Sequence, residues 1–366
     1  MPTCVHILKN AQPECTGIAR IVADLARHSG AYGYQASILF LGDGPLVTAM
    51  QDAGIRATAI PWTGHRGDLA GAWRVWRWMR KHPSEIAHLH RGAGALRLLC
   101  HLAGAGAVVQ HIHGPTLEPY LNSVSELRFR GADAVIACSQ SVADSLRECT
   151  PQVVYAGIEL QADPPSAPLL SGPLRLGVLA RLVPLKNIEA VIIATARLTQ
   201  MEIDVQTEIA GTGPSESALR DLAASSSVAD RVRFLGWQQD AASLLSTWHL
   251  LLMPSMHEGF PVAALEAMRA ARPIFASRVG GLSELVEDGV TGKLFAPGDT
   301  DALVRSIAEM DKDRPQLTRM GRQGWERART LFSADQAARR TTELYDRLLN
   351  RKPNRSIEPD TIAPSP

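Results

Sequence analysis

The chain has five cysteines, Cys4, Cys15, Cys100, Cys138 and Cys149, an odd number with no C-x-x-C pair. At 366 residues it is long enough to bury its cores without disulfide staples. A reducing compartment follows, with the cytoplasm as the expected location. Charge of one sign is also missing: 38 Lys+Arg against 37 Asp+Glu leave +1. No broad electrostatic field is available to gather nucleic acid, and none is expected as a partner. Residues 1–9 lack the apolar core of a signal peptide, because the stretch 4–8 is short and contains His6. Residues 98–117 are free of Asp, Glu, Lys and Arg, yet they contain His101, Gln110, His111, His113 and Pro115. A spanning helix needs about 20 predominantly apolar residues, so a membrane span is excluded.

What is present is the composition of a folding chain, 45% hydrophobic and 20% charged. Apolar runs of four to six residues alternate with helical patterns from end to end, the pattern of βα units and parallel sheets. In the first half the strands are placed at 5–8, 36–41, 86–89, 108–112, 134–137 and 153–155, with helices at 18–28, 68–82 and 141–148. The stretch 164–173, with Pro164, Pro165, Pro168, Gly172 and Pro173, is a linker. The same alternation then restarts, with strands at 174–179, 207–210, 232–235, 249–253 and 273–276 and helices at 187–200, 215–224, 241–247, 261–271 and 300–311. The expected architecture is α/β: a first Rossmann-like, doubly wound domain over 1–163 and a second over 174–332, facing across a cleft. A closing helix over 333–350 and a disordered tail over 351–366 complete the chain.

Three constellations fall at successive strand ends of the second half. Glu258-Gly259-Phe260-Pro261 followed by Glu266 places one carboxylate on a loop and the other inside a helix opened by Pro261. Two such carboxylates can accept hydrogen bonds from vicinal hydroxyls, or they are simply solvated acids. Arg181-Leu182-Val183-Pro184-Leu185-Lys186 carries a guanidinium fork and an ammonium to the end of the strand at 174–179, enough to neutralise a diphosphate or merely to cap a helix. Gly211-Thr212-Gly213-Pro214 lets backbone approach a ligand, or is an ordinary turn.

Taken together, ARLVPLKNIEAVIIA, EIAGTGP, RVRFLGW and LLMPSMHEGFPVAALEAMRAARPIFASRVGGLSELVEDGVTGKLFAPGD resemble the donor domain of the retaining GT-B glycosyltransferases of family 4, the glycosyl transferases group 1. The resemblance covers nearly all of 174–310. It implies that Arg181 and Lys186 bind the donor diphosphate, that Glu266 holds the ribose hydroxyls, and that Glu258 with Gly259 and Phe260 contacts the donor sugar. Gly211 and Gly213 would line the donor site. Gly280 and Gly281 match the Gly-Gly that precedes Glu284, whose role is expected to be structural.

The first half matches more loosely. Thr16-Gly17-Ile18-Ala19-Arg20 stands where the family has a Gly-Gly loop, leaving Gly17 to approach donor phosphate or sugar. His88-Leu89-His90 and His111-Ile112-His113-Gly114 resemble the family's strand ends, whereas Ala156-Gly157-Ile158-Glu159 departs from its Asn-Gly-Val-Asp. His113 is the first-half residue assigned to catalysis, beside Glu258: an imidazole at a strand's carboxyl end can bond a sugar hydroxyl, although a satisfied histidine beneath a loop fits too. His111 is assigned to the opposite face of its strand. His88 and His90 lack the further ligands of a zinc site, and no metal or other cofactor is expected.

The resemblance implies transfer of a sugar from a nucleoside diphosphate sugar to a glycan, a lipid-linked sugar or a small molecule, with the leaving phosphate taking the acceptor's proton. A sugar-nucleotide epimerase, or an inactive binding subunit on the same fold, would share the nucleotide site. Glu258 and Glu266 are better explained by donor binding than as a hydrolytic carboxylate pair. The helix at 68–82 carries one further signal. Stepped at about 100° per residue, Leu69, Ala72, Trp73, Val75, Trp76 and Met79 share a core-facing side, while Trp78 falls beside Arg74 and Lys81. A weak peripheral contact with anionic lipid at the inner membrane face is therefore expected through Trp78, Arg74 and Lys81.

Overall fold

In a computed structural model of the chain, the described residues are 1–12, 16–64, 67–90, 94–114, 129, 131–146, 149–166 and 171–350. Cys15, the middle of the linker at 167–170, residues 147–148 of the helix expected at 141–148, and the tail at 351–366 lie outside them. Two wholly parallel sheets form. The first has the order β3-β2-β1-β4-β5-β6-β7, from β1 (Thr3–Leu8), β2 (Gln35–Phe40), β3 (Ala57–Ala59), β4 (Ile86–Leu89), β5 (Ala107–Ile112), β6 (Ala134–Ala137) and β7 (Gln152–Val153). The second has the order β10-β9-β8-β11-β12-β13, from β8 (Leu174–Leu179), β9 (Val205–Ala210), β10 (Val232–Gly236), β11 (Leu250–Met253), β12 (Ile274–Ser277) and β13 (Gly292–Phe295).

Both orders reverse at their first strand, between β1 and β4 and between β8 and β11. Crevices open beyond the carboxyl ends of the strands at such switch points. The strands are short apolar runs because helices cover both faces of each sheet. β11, LLLM, is buried at every position.

Several elements escaped the sequence reading. The short β3 and β13 follow weak apolar stretches. Helix α12 (Arg314–Leu331) has a polar average, and only Leu317, Met320, Gly321, Gly324, Trp325 and Ala328 mark its buried stripe. Helix α3 (Leu69–Lys81) is present but turned from the expected phase: its buried residues are Gly71, Val75 and Met79. Trp78 is half-buried against the core and its ring stacks on His82 at 4.6 Å. Trp73 and Trp76 are exposed instead. The bulk of these two rings dominates the hydrophobic average, but the stripe that fits the sheet is the narrower one through the small Gly71.

The chain crosses between the sheets twice, side by side. The Ile158 amide donates to the Phe332 carbonyl at 2.9 Å and the Ala334 amide to the Ile158 carbonyl at 3.1 Å. A Cβ on Gly157 would lie 2.3 Å from the Ser333 carbonyl oxygen, so only glycine allows the two crossings to touch. The chain then returns to the first sheet as α13 (Ala334–Leu348), where Tyr345 is fully buried and Tyr34 donates to Asp346 at 2.8 Å. A single buried cluster runs through both sheets, from Ile21, Val135 and Ala137 to Leu251, Met253 and Leu265.

The second sheet also depends on a close approach inside β8. The ring of fully buried Trp248 lies where a Cβ on Gly177 would stand, 1.9 Å from it, and the Trp248 indole N–H donates to Glu208 at 2.8 Å. Gly177→Ala is expected to cost about 1–3 kcal/mol through overpacking, read as a lower denaturant midpoint at an unchanged slope. A variant as stable as the parent would show that the Trp248 ring can shift freely.

Candidate active site

The crevice at the second sheet's switch point is closed from above by the first domain. Helix α1 (Thr16–His28) begins over α9 (Val262–Arg269), with the Val262 side chain 3.4 Å from the Cβ position of Gly17. Between them lies a cavity of about 500 Å³ lined by Gly17 and Arg20 of the first domain and by Arg181, Gly211, Trp237 and Glu266 of the second, among others. Of the residues chosen from sequence, Gly17, Arg181, Gly211 and Glu266 meet here. Arg181 is exposed at the end of β8.

Glu266 is buried on α9 and paired with Arg20 across the cleft. Burial raises its carboxyl above the ordinary 4.5, offset by Arg20 and Arg269. Arg20 was missed: it stands three residues after Gly17, one helical turn along α1, and nothing in the sequence pairs it with a glutamate 246 positions away. Trp237, also missed, follows β10 and presents a half-exposed ring to the cavity.

Lys186 and Glu258 face each other instead of the cavity floor. The Lys186 ammonium lies 2.5 Å from Glu258 Oε1, and Ser255 Oγ donates to that oxygen at 2.8 Å. Lys186 ends a 3-10 turn, Pro184–Lys186, closed by Asn187 in left-handed backbone at φ 47°. The Met256 amide donates to the Leu185 carbonyl at 2.9 Å, joining the two loops.

The glycines here serve backbone before ligand. A Cβ on Gly211, whose φ is +136°, would sit 1.8 Å from the Ala180 carbonyl oxygen, and one on Gly213 would sit 2.3 Å from that of Leu182. The Gly-x-Gly turn therefore props the Arg181 loop from beneath, and Gly213 does not line the cavity. Phe260 likewise turns its ring away: it stacks on Tyr155 at 5.2 Å and meets Phe332 edge-on at 5.4 Å. Only the backbone of Phe260 is left to meet a donor.

His113 and Gly114, at the end of β5, touch the same loop from the first domain. A Cβ on Gly259 would lie 2.6 Å from the His113 carbonyl oxygen and from Gly114 Cα. His113 is half-buried, and its Nε2 is 2.9 Å from His90 Nδ1. The assignment of His111 to the opposite face is corrected. Residues two apart on a strand share a face, and the His111 and His113 rings stack at 4.1 Å.

Glu284 spans the domains: its carboxylate accepts from the Gln140 amide at 2.8 Å and the Ser141 amide at 2.9 Å, the start of α5 (Gln140–Asp144). The two Asp-x-Asp stretches of the chain are committed elsewhere. Asp299 caps α11 (Thr300–Lys312), Asp301 pairs with Arg197, Asp311 with Arg314 and Asp313 with Arg319.

Because burial raises the folded-state value of Glu266, its contribution to stability is complete below about pH 4.5 and is lost as pH rises through the raised value. Stability of the parent minus that of Glu266→Gln should therefore fall as pH increases from about 4.5. A difference that stays flat or rises would remove the burial argument.

Comparison with known proteins agrees with this architecture. The family model described as Glycosyltransferase Family 4 matches residues 16–162, and that described as Glycosyl transferases group 1 matches 162–327, the two meeting where the chain leaves the first sheet. The chain is 32% identical over 173 residues to an MMP alpha-(1->4)-mannosyltransferase of Mycolicibacterium hassiacum, covering 46% of this chain and 42% of that protein. It thus spans less than half the length of that relative. It is 25% identical over 336 residues to the lipopolysaccharide core biosynthesis glycosyltransferase LpsE of Rhizobium meliloti, covering 84% and 94%. The crystal structure of Anabaena Alr3699/HepE in complex with UDP-glucose superposes with a TM-score of 0.81 at 20% identity, covering 95% of this chain and 100% of that one. With its two family models running in succession over two Rossmann-like sheets and a shared cleft, the chain belongs to the group 1 glycosyltransferases of the GT-B fold.

Proposed function

We propose that the chain transfers a sugar from a nucleoside diphosphate sugar to an acceptor hydroxyl with retention of anomeric configuration. The observation that carries this reading is the interdomain cavity, in which Arg181, Gly211 and Glu266 of one domain converge with Gly17 and Arg20 of the other. Glu266 would accept from the ribose hydroxyls, Arg181 would grip the diphosphate, and Trp237 offers its ring to the base. Lys186 lies one ion pair from Glu258, so the diphosphate and the sugar would be held by two ends of one contact.

As the bond to the leaving phosphate lengthens, positive charge grows on the sugar and negative charge on the diphosphate. Arg181 and Lys186 stabilise the second, and the leaving phosphate takes the proton of the attacking hydroxyl on the same face. No protein base and no metal ion are needed in this scheme. UDP-glucose, which the Anabaena protein of similar fold binds, is the first donor to try.

Incubation with a panel of nucleotide sugars tests the reading. Transfer, or slow hydrolysis with retained configuration, supports it; epimerisation alone or inertness overturns it. Arg181→Ala and Lys186→Ala should each lower kcat/KM by the loss of about 1.5–3 kcal/mol of charge-assisted bonding. Activity is expected to survive EDTA, and strict dependence on Mn²⁺ or Mg²⁺ would rule out the metal-free scheme.

A surface on the first domain favours a sugar acceptor carried on lipid. No helix among the described residues is long and apolar enough to cross a membrane. Helices α3 and α4 (Gly94–Leu102), however, expose Leu69, Trp73, Trp76, Leu98 and Leu102 together. Trp76 Nε1 donates to the Leu102 carbonyl at 3.3 Å, and the Arg77 guanidinium lies 5.1 Å from the Trp73 ring. Arg74, Arg80 and Lys81 are exposed on α3 as well, and no acid occurs from 69 to 84. Apolar side chains rimmed by cations suit an anionic lipid surface. Vesicles containing phosphatidylserine should sediment the protein more at low than at physiological salt, and Trp73→Ala with Trp76→Ala should abolish this. Equal behaviour of parent and variant would discard the surface.

A further inference from the structure

Five histidines that the transfer scheme leaves largely unused are gathered behind the cleft. His6 on β1 pairs in register with His88 on β4, and His90, His111 and His113 complete the group on the same face. Their rings form a continuous stack, 4.3 Å between His88 and His90 and 4.1 Å between His111 and His113. Two hydrogen-bonded series run through it. In one, Cys4 Sγ is 3.7 Å from His6 Nε2, His6 Nδ1 is 2.9 Å from His90 Nε2, and His90 Nδ1 is 2.9 Å from His113 Nε2. In the other, the Tyr345 hydroxyl on α13 is 2.5 Å from His88 Nδ1, and His88 Nε2 is 3.2 Å from His111 Nδ1. Cys4 joins the two, its thiol donating to the Tyr345 oxygen at 3.4 Å.

Ring nitrogens of His6, His88 and His90, and of His90, His111 and His113, come within 4.8 Å of one another, close enough to consider a metal. Two nitrogens on one tetrahedral zinc stand about 3.4 Å apart with both ring planes directed at the ion. Separations of 2.9 Å between nitrogens, in rings that stack face to face, are those of N–H···N hydrogen bonds.

Neutral imidazole has one N–H, so each series can run in only one of two senses. Burial lowers His6 to about 3, and burial followed by the neighbouring imidazoles lowers His88, His90 and His111 well below the ordinary value. The thiol proton of Cys4 goes to Tyr345, which leaves Sγ to accept from His6 Nε2–H. His6 Nδ1 then accepts from His90 Nε2–H, and His90 Nδ1 from His113 Nε2–H. On the other side the Tyr345 hydroxyl donates to His88 Nδ1 and His88 Nε2–H to His111 Nδ1. The buried His111 Nε2 is left without a partner. The reverse sense there would leave the buried Tyr345 proton unpaired as well.

We propose that His6 and His90 are positioning residues which, through the series anchored at Cys4, hold His113 as a neutral imidazole with its proton on Nε2, so that its Nδ1 accepts a hydrogen bond and cannot donate one. This rests on the reading that His113 faces the donor sugar. His113 would then select a sugar presenting a hydroxyl proton at that point and would play no part as a general acid.

Two-bond ¹H–¹⁵N correlation on the full chain labelled in its histidines tests this directly. All five are expected as neutral Nε2–H tautomers. An Nδ1–H or doubly protonated His113, or a stoichiometric transition metal found in the purified protein, would overturn the proposal. His90→Leu, which cuts the series, should disturb the His113 tautomer and lower kcat/KM roughly tenfold while leaving affinity for the bare nucleoside diphosphate unchanged. His90→Gln, whose amide can both accept and donate, should restore most of the loss. Equal loss in both variants would make His90 merely structural. Failure to bind any nucleoside diphosphate would refute the donor site itself and leave the tautomer result standing.

Discussion

Three backbone contacts in series, each requiring glycine, hold the cleft together. A Cβ on Gly280 would stand 1.9 Å from the Glu258 carbonyl oxygen, one on Gly281 2.0 Å from that of Gly259, and one on Gly259 2.6 Å from that of His113. The Gly281 amide also donates to the Gly259 carbonyl at 3.0 Å. Backbone from β12's following turn, from the donor loop and from the end of β5 is thus layered without side chains between. Any side chain in this stack would push Glu258 away from Lys186 and lift the loop from the first domain. The positions of both candidate catalytic residues, Glu258 and His113, depend on it.

Electrostatics complements this layering. Glu258 and Glu266 are buried beside a site meant for two phosphates, an arrangement that would repel its ligand if the carboxylates stood alone. Lys186 and Arg20 each neutralise one. A buried carboxylate without its cation is costly, so each pair is best understood as compensation for desolvation more than as a source of stability. Arg181, exposed and making no ion pair among the described residues, keeps its charge for an incoming anion.

Much of this was legible before the coordinates. Alternating apolar runs and helical patterns report a parallel sheet because its strands are covered on both faces, and Pro261 and the Gly-x-Gly turn mark strand ends locally. What stayed hidden depends on distance or on phase. Arg20 finds Glu266 only after two domains meet. The buried stripe of α3 passes through Gly71, a residue with no hydrophobic signal of its own, so Trp73 and Trp76 drew the phase the wrong way. Phe260 looked like part of a ligand loop, yet its ring belongs to a cluster with Tyr155 and Phe332 that only the double crossing of the chain creates.

That double crossing also grades the interface between domains. Beside it the contacts are apolar and aromatic, three rings in mutual contact above the paired backbone of Ile158 and Ser333. Aromatic pairs of this kind add about 0.5–1.5 kcal/mol each beyond their burial. Toward the substrate side they give way to the Arg20–Glu266 pair, with Arg20 partly exposed, and to backbone touching backbone at Gly259. Partly exposed ion pairs contribute little in water, so the interface is strongest where the chain crosses and weakest where a ligand must enter. Relative movement of the domains therefore costs least at the cavity mouth, with the ring cluster as its natural pivot. The terminal helix α13, locked to the first domain through Tyr345 and Asp346, makes that pivot a property of the whole chain and not of the linker alone.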